Sequence, residues 1–404
     1  MDETPVDQEI VTPARRAGFV EKLARGPWLP GLAARIGAKL VSKPIRLGGR
    51  VIAARHAHVR ELLCRDLDFI IAPVNETKIR QVNQGDFVLG MDRSEKLERE
   101  RRALYSSLEG VDKDRLRAGV ASEIATVLGA VPAGGEVDVV GGYARPIAAR
   151  TAQRLFGITG TSERMFMEVV RSVFAHTFLN LGDDPVVRDR AIKAGSYMGR
   201  WFAEEIARRR ASGALGDDMM GQLLKDGIVD DDGARRTLGG MLVGSIDTTA
   251  TCVAKIVKVA SSDPALRLAM ERDASDLRRM EGWCEEALRR WPHNPIVMRR
   301  AAKDCTLAGT EVKKGETLIA WTQAAMQDET AFPDARKMDP GRDLSAYLHL
   351  GWGLHPCSGR PINRFQIPML VAGLLGRGLA RTGEVQWVGP FPDRLPARLR
   401  EGPR

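Results

Sequence analysis

The sequence predicts a mostly α-helical protein with a small β region, folded as a single large domain over residues 1–404. Helical periodicity runs through most of the chain, between two β-rich segments that lie far apart in sequence. No internal repeat, low-complexity tract or Pro/Gly/Ser linker divides the chain. With 44% hydrophobic and 28% charged residues, the chain is composed like an ordinary globular protein, which excludes disordered and collagen-like classes.

Each β-rich segment predicts a pair of strands. In LVSKPIRLGGRVIAA (40–54), β-branched residues flank a Gly-Gly turn, which indicates a hairpin. A second strand pair is expected in CTLAGTEVKKGETLIAWT (305–322). The two segments together predict a small sheet assembled from distant parts of one fold, and residues 1–40 are expected to form an N-terminal arm.

Most of the remaining chain is predicted to be helical. The helical segments are 114–129, 163–180, 186–211, 233–260 and 274–290. Pro292 ends the last of them.

Charge and cysteine content limit the class of protein. The net charge is +9, and much of the excess is arginine in short clusters that are typical of a solvated basic face. Aromatic residues do not interleave with these clusters, so nucleic-acid binding is not expected. Five cysteines without a C-x-x-C pair argue against a disulfide framework and favour a reducing compartment.

The N-terminus does not resemble a targeting segment. MDETPVDQEIVTPARR is acidic and then basic, with no apolar stretch behind it. No later run of about 18 uninterrupted apolar residues suggests a membrane span. The sequence therefore predicts a cytoplasmic protein that does not contact a membrane.

The most informative stretch is LGWGLHPCSG, residues 350–359. Three glycines, His355 and Cys357 stand at fixed offsets in it. Glycines allow positive φ and close approach to a flat ligand, and the amides after the cysteine can point at its sulfur. A helix predicted over RPINRFQIPMLVAGLLGRG would place a thiolate near a positive helix N-terminus. Pro361 fits its first turn, whereas Pro368 predicts a kink or a later helix start.

These residues resemble the haem-binding loop of the cytochrome P-450 superfamily, whose pattern is F-G-x-G-x-H-x-C-x-G. The resemblance implies the cytochrome P-450 fold and the cofactor haem b (iron protoporphyrin IX). It further implies that Cys357 is the axial thiolate ligand of the iron and that His355 faces a haem propionate. Leu350 stands where the family usually has phenylalanine.

The segment EEALRRWPHNP contains Glu286 and Arg289, which share one face of a predicted helix. Alone, such a pair is typical of an exposed salt bridge. In the family an E-x-x-R pair precedes the cysteine loop, and an arginine between them completes a buried ionic triad. The resemblance assigns that place to Arg342 and gives the triad the structural task of holding the segment that presents the cysteine.

The apolar helix GGMLVGSIDTTATCVAKIV is interrupted by Asp247 and Thr248. From the residues alone, a core helix with capped hydroxyls is a valid interpretation. The segment resembles the family's distal helix and its [AG]-G-x-[DE]-T motif, in which the threonine bonds back to a carbonyl and bends the helix. The resemblance implies that Thr248 and Asp247 are the catalytic pair that binds dioxygen and relays protons, with Ser245 in place of the usual glycine.

Two further arginines are implied to reach the haem. Arg299, in VMRRAAKD, matches the family's R-x-A-x-x-D position, and Arg101, in EKLERERRALYSSL, matches a propionate-binding arginine on an early helix. The histidine or tryptophan that usually precedes the latter is Leu97 here. A solvated charged helix is the competing interpretation of the Arg101 segment.

The predicted function is that of a haem-thiolate monooxygenase, which inserts one atom of O₂ into a small, largely hydrophobic organic substrate. The chain has no G-x-G-x-x-G fingerprint and no ferredoxin-type cysteine spacing, so the electrons must come from a separate ferredoxin or flavodoxin. The alternatives are a peroxide-using or isomerising haem-thiolate enzyme and a non-catalytic haem-binding sensor.

By analogy with the family, four segments line the substrate pocket. They are a loop over residues 71–91 and residues 174–180, 241–245 and 295–298. The first carries Asn75, Lys78, Arg80 and Gln84, which either bind a polar or anionic end of the substrate or face solvent. An arginine-rich surface with Arg99, Arg102 and Arg364 is predicted to attract an acidic electron donor.

Overall fold

The computed structural model describes residues 32, 34–37, 42–180 and 182–401. The helices are His56–Cys64, Ala72–Asn83, Glu95–Gly110, Lys113–Gly129, Arg145–Phe156, Glu163–Phe174, Pro185–Ser212, Met219–Asp226, Asp231–Val243, Asp247–Ser261, Pro264–Arg272, Leu277–Arg290, Thr322–Ala325 and Arg360–Gly376. The strands are Ile45–Leu47, Arg50–Ala53, Phe69–Ile70, Glu136–Asp138, Val297–Ala301, Cys305–Leu307, Thr310–Val312, Thr317–Ala320, Leu379–Thr382, Gln386–Val388, Phe391–Arg394 and Pro396–Leu399. The predicted fold class, mostly α with a small β region, is confirmed.

The described residues divide into two compact units. The first unit comprises residues 75–120 and 145–249, and its secondary structure is helical throughout the described part. The second comprises the described residues within 32–74, 121–144 and 250–401 and carries every described strand. The proposed N-terminal arm, residues 1–40, lies largely outside the described residues, and the single-domain organisation stays a prediction.

The largest sheet, in the second unit, joins segments that are distant in sequence. The hairpin Ile45–Leu47 and Arg50–Ala53 turns at Gly48 and Gly49, which have φ of 55° and 71°, as the Gly-Gly pair predicts. Arg50–Ala53 then pairs in parallel with Thr317–Ala320, which pairs antiparallel with Val297–Ala301. Leu62, Phe69, Leu318 and other fully buried side chains form a core against this sheet.

The second strand pair is only partly as predicted. Cys305–Leu307 and Thr310–Val312 form a hairpin, but Thr317–Ala320 belongs to the five-stranded sheet. Gly315, with φ of 81°, redirects the chain between the two sheets, which the strand propensities alone do not reveal.

Four predictions about the helices and the segments between them differ from the structure. Helix Glu163–Phe174 continues as a π-helical segment, Ala175–Leu179, and the segment 233–260 divides into two helices at residues 244–246. The expected loop 71–91 is largely the helix Ala72–Asn83. Helix Arg360–Gly376 starts at once after the cysteine loop and includes Pro368, so the later start is wrong, whereas Pro361 in the first turn is confirmed.

Candidate active site

The cysteine loop, residues 350–359, lies in the second unit and ends at the first turn of helix Arg360–Gly376. The Cys357 amide donates to the Leu350 carbonyl oxygen at 2.6 Å, which closes the loop. Burial raises the pKa of the Cys357 thiol, while the amides of Gly359 and Arg360, which donate to the sulfur, and the Arg360 guanidinium lower it. The predicted placement of the sulfur at a helix N-terminus is confirmed.

Glycines let the cysteine loop seat against helix His56–Cys64. Gly353 has φ of 70°, and a Cβ there would lie 2.2 Å from the Leu63 carbonyl oxygen. The Arg60 guanidinium of the same helix lies 4.5 Å from the centre of the Trp352 ring. Since no larger residue fits at position 353, the glycine pattern reflects a close backbone approach as well as turn geometry.

The predicted ionic triad is present and buried. The Arg289 Nε donates to Glu286 Oε1 at 2.6 Å, with both side chains fully inaccessible, and Arg342 Nε lies 3.5 Å from Glu286 Oε2. The Tyr347 hydroxyl also donates to Glu286, and the Asp339 amide donates to it at 3.0 Å. The carboxylate therefore ties one helix to the 339–347 segment that leads into the cysteine loop.

A second carboxylate holds the residue just before the loop. Glu285 Oε2 lies 3.0 Å from His349 Nε2, and both side chains are largely buried. Burial favours the neutral carboxyl, but His349, Arg360 and Arg364 outweigh it and hold the pKa of Glu285 below its usual value. The adjacent residues Glu285 and Glu286 thus anchor the loop-bearing segment at two points, and sequence reasoning found only one of them.

In the first unit, the helical run is interrupted before the Asp-Thr pair. Gly244 has ψ of 4° and ends helix Asp231–Val243, and a new helix starts at Asp247. The Thr248 hydroxyl donates to the Gly244 carbonyl, and the Thr249 hydroxyl donates to the Ser245 carbonyl at 2.9 Å. The predicted back-bonding threonine is confirmed, and the interruption is a complete break rather than a bend.

Asp247 is held by two arginines that sequence reasoning missed. Its Oδ1 accepts from Arg145 Nε at 2.9 Å and lies 3.5 Å from Arg171 Nε. Asp247 and Arg145 are both buried, being 4% and 6% exposed. One feature of the sequence points to a buried role for Arg145, which is its position on the apolar side of its helix. The sequence does not indicate its partner, because Arg145 and Asp247 lie far apart in the chain.

The remaining predicted site residues fall in both units. Arg299 is buried on strand Val297–Ala301 and donates from Nη1 to the Met298 carbonyl at 2.8 Å, and His355 lies half-buried in the cysteine loop. Both belong to the second unit, with Cys357. Arg101 belongs to the first, with Asp247 and Thr248, and its guanidinium lies 5.6 Å from the centre of the Tyr105 ring.

The polar side chains of the expected pocket segment have partners within the first unit. Lys78 Nζ donates to the Asn180 carbonyl at 2.6 Å, and Asn75 Nδ2 donates to the Leu89 carbonyl at 3.1 Å. Arg80 pairs with Asp86. Gln84 Nε2 donates to the Ser196 hydroxyl at 3.3 Å. These contacts favour structural tasks for the four side chains.

One apolar helical stretch, residues 231–261, has the length and hydropathy of a membrane span. Within it, 78% of the most apolar window is buried in the protein, which is typical of a core helix. Among the described residues, no group of three or more His, Cys, Asp or Glu side chains forms a candidate metal site.

A helical protein with one cysteine at a helix N-terminus, a glycine-seated loop and a buried E-x-x-R network has the features of a haem-thiolate protein. A sequence model of the cytochrome P450 family matches residues 217–377. The structure aligns with that of CalO2 with a TM-score of 0.80 and 21% identity, over 94% of this chain and 98% of that one. This structural likeness establishes the shared fold.

Curated relatives point to the same family. The chain is 28% identical to the mycinamicin IV hydroxylase/epoxidase of Micromonospora griseorubida over 253 residues, which are 60% of each chain. It is 28% identical to the cytochrome P450 monooxygenase PikC of Streptomyces venezuelae over 292 residues, 66% of this chain and 65% of the relative. The matches thus span less than two thirds of these relatives. The family model and these relatives show that the chain is similar to cytochromes P450.

Members of this family bind iron protoporphyrin IX. The residues present fit that group. Cys357 offers a single sulfur that already accepts two amide N–H groups, and such donors stabilise a thiolate ligand. The narrow contact of Gly353 with Leu63 fixes the backbone that carries the sulfur.

Proposed function

We propose that the protein is a soluble, cytoplasmic haem-thiolate monooxygenase that inserts one oxygen atom of O₂ into a small hydrophobic organic substrate. The observation that carries the proposal is Cys357 at the start of helix Arg360–Gly376, with two backbone amides donating to its sulfur. The names of the relatives, a mycinamicin hydroxylase/epoxidase and a nocardicin C N-oxygenase, support oxygen insertion into an organic molecule.

In this proposal Cys357 would hold the haem iron through its sulfur, and Arg101, Arg299 and His355 would bind the haem propionates. When bound, thiolate-ligated haem supplies the reductive activation of dioxygen. The protein around the cysteine has to hold the sulfur in place and keep it ionised. The Glu286 and Glu285 networks do the first, and the Gly359 and Arg360 amides offset part of the rise in the thiol pKa that burial causes.

Thr248 and Asp247 are proposed to manage the protons. The hydroxyl hydrogen of Thr248 is committed to the Gly244 carbonyl, so its oxygen offers lone pairs to a water molecule or another proton donor. The Asp247 carboxylate is ion-paired with Arg145 and Arg171. In this proposal the Asp247 carboxylate lies next to the Thr248 hydroxyl in sequence and relays protons toward it.

The electron donor is proposed to be a ferredoxin or flavodoxin with an acidic docking face. Arg99, Arg102 and Arg364 are exposed, as the sequence predicts. Arg364 pairs with Glu281 at 2.6 Å, which neutralises part of its charge. Arg99 and Arg102 are therefore proposed to attract the acidic donor more strongly than Arg364 does.

The first experiment measures the absorption spectrum of the reduced carbon monoxide complex. We expect about one haem per chain and the strongly red-shifted band of thiolate ligation. Cys357→Ser should abolish that band, and Cys305→Ser, a partly buried cysteine on a strand, should keep it. A red-shifted band that survives Cys357→Ser would exclude this residue as the ligand.

The second experiment tests turnover. Small hydrophobic compounds are screened for a high-spin shift of the oxidised haem, and those that bind are incubated with O₂ and a reduced ferredoxin. The proposal predicts a product that carries one atom from ¹⁸O₂. Spectral shifts without any product would instead identify a sensor, and product formed only with peroxide would identify a peroxide-using enzyme.

A further inference from the structure

The second unit contains a cleft of about 430 Å³ outside the proposed active site. Its walls come from three helices, represented by Val259, Leu266 and Trp283, and from Met338. The Trp283 ring is fixed because its Nε1 donates to Asp273 Oδ2 at 2.7 Å. A rigid apolar wall in a cleft of this size is typical of a small-molecule site.

Two arginines, Arg290 and Arg336, also line the cleft. Within the described part of the chain, neither guanidinium has a carboxylate within ion-pair distance. Glu286, which lies near Arg290, has its oxygens taken by the triad arginines and by Tyr347. Burial is the main cause that holds the pKa of Arg290 below its ordinary value; Arg289 and Arg35 add to this effect, and Glu286 opposes it.

The one acidic side chain in the cleft is already used. Asp263 caps helix Pro264–Arg272, where its Oδ1 accepts from the amides of Ala265 and Leu266 at 2.9 and 3.3 Å. The cleft therefore has two guanidinium donors and one committed carboxylate. A guanidinium matches a carboxylate in charge and geometry, and the apolar wall matches a hydrocarbon or aromatic group.

We propose that this cleft is a second ligand site that binds a small amphipathic carboxylate, with its carboxylate at Arg290 and Arg336 and its apolar part against Trp283 and Leu266. The ligand would contact the helix that carries Glu286, and it would also contact Met338. Met338 precedes Asp339, whose amide donates to Glu286. Its binding should therefore stabilise the support of the cysteine loop.

The experiment is isothermal titration calorimetry of the full-length haem protein with 4-phenylbutyrate as the probe. The haem iron is first saturated with 4-phenylimidazole, which fills the proposed active site. We expect one binding event for 4-phenylbutyrate and at least ten-fold weaker binding of the neutral 4-phenylbutyramide. The Tm of the protein should rise with 4-phenylbutyrate and stay unchanged with 4-phenylbutyramide.

Variants locate the binding. Arg290→Met and Arg336→Met should each weaken 4-phenylbutyrate binding by about ten-fold, because a charge-assisted hydrogen bond is lost. Arg278→Met, an exposed arginine on the helix of Arg290, should leave it unchanged. Absence of binding, equal binding of acid and amide, or undiminished binding to both Arg290→Met and Arg336→Met would each overturn the proposal. A protein that fails to bind haem would contradict the proposed function alone. The titration with 4-phenylbutyrate can then be done without 4-phenylimidazole, which serves only to saturate the haem iron.

Discussion

Arg145 donates from Nε to Oδ1 of Asp247 at 2.9 Å, although 102 residues separate the two in the sequence. Both side chains are buried, and Arg171 Nε is the next cation, at 3.5 Å from the same oxygen. The residue proposed to pass protons therefore stands in a positively charged, largely dry environment.

Removal of Arg145 should leave a buried carboxylate with weaker compensation. We expect Arg145→Met to lower the free energy of unfolding by roughly 3 kcal/mol, and Arg145→Met combined with Asp247→Asn to recover most of that loss. Urea denaturation measures both. Arg150→Met is the control, because Arg150 lies on the same helix and forms an exposed pair with Glu163, worth about 0–1 kcal/mol. Strictly additive losses in the double variant would contradict the coupling.

Thr248→Ala should remove the proposed proton-handling hydroxyl while leaving haem content intact. With a compound found in the spin-shift screen, we expect a larger share of the electrons to form peroxide or water instead of product. Product formed per electron pair is the measured quantity. Thr248→Ser keeps the hydroxyl that reaches Gly244 and should couple electrons as the parent does. Equal coupling in the Ala and Ser variants would remove the hydroxyl from the mechanism.

The members of the Glu286 network should differ in their contribution to stability. Arg289→Met removes a fully buried side chain that donates to five oxygen atoms and should cost about 3–5 kcal/mol, with loss of bound haem. Tyr347→Phe removes one hydrogen bond and should cost about 1–3 kcal/mol. Chemical denaturation and haem content are measured together. If the Tyr347→Phe protein were less stable than the Arg289→Met protein, the expectation that Arg289 contributes more than Tyr347 to stability would be wrong.

These networks show how far the sequence predicts the site. Cys357, the Glu286 triad and the back-bonding Thr248 could be predicted, because each depends on a short pattern with local geometry. Arg145, Arg171 and the Glu285 partner His349 could not, because their ion pairs join distant segments and leave no periodicity in the sequence. The same limit applies to the strand pair that the sequence predicts over residues 305–322. Thr317–Ala320 pairs instead with strands elsewhere in the chain, and such partners are not visible in local propensity.

Lys255 should make stability depend on pH above neutrality. It is buried beneath Trp291 and donates to the Pro292 carbonyl at 2.8 Å, and burial lowers its pKa from 10.5 to about 8. Between these two values the unfolded chain holds a proton that the folded protein has lost, so the free energy of unfolding rises with pH by at most about 3 kcal/mol.

The check compares the parent with Lys255→Met by urea denaturation from pH 7 to pH 10.5. Groups common to both proteins cancel in the difference, which should grow in favour of the parent as the pH rises. Lys258→Met is the control, since Lys258 lies on the same helix and its Nζ donates to the Gly383 carbonyl at 3.0 Å. Parallel curves for the parent and Lys255→Met would show that Lys255 does not titrate in this range.

Charge reversal on the arginine-rich surface should slow reduction by an acidic donor. We expect Arg102→Glu to lower the rate at which a reduced ferredoxin forms the ferrous carbon monoxide complex, with a smaller ionic-strength dependence than the parent. Arg364→Glu should have a smaller effect than Arg102→Glu, because Glu281 already neutralises Arg364. Stopped-flow absorbance follows the reaction, and dithionite reduction is the control. Rates and salt slopes that match the parent would place the donor elsewhere.

The seating of Gly353 on Leu63 also has a consequence for biosynthesis. About 290 residues separate these contact partners, and at roughly 5–20 residues per second a ribosome needs on the order of 15–60 s to synthesise that length. During this interval helix His56–Cys64 has no cysteine loop to cover it, and its apolar residues depend on other contacts or on chaperones. The proposed ligand segment can contact this helix only after residue 353 has been synthesised, so we expect haem to be captured after that point in translation.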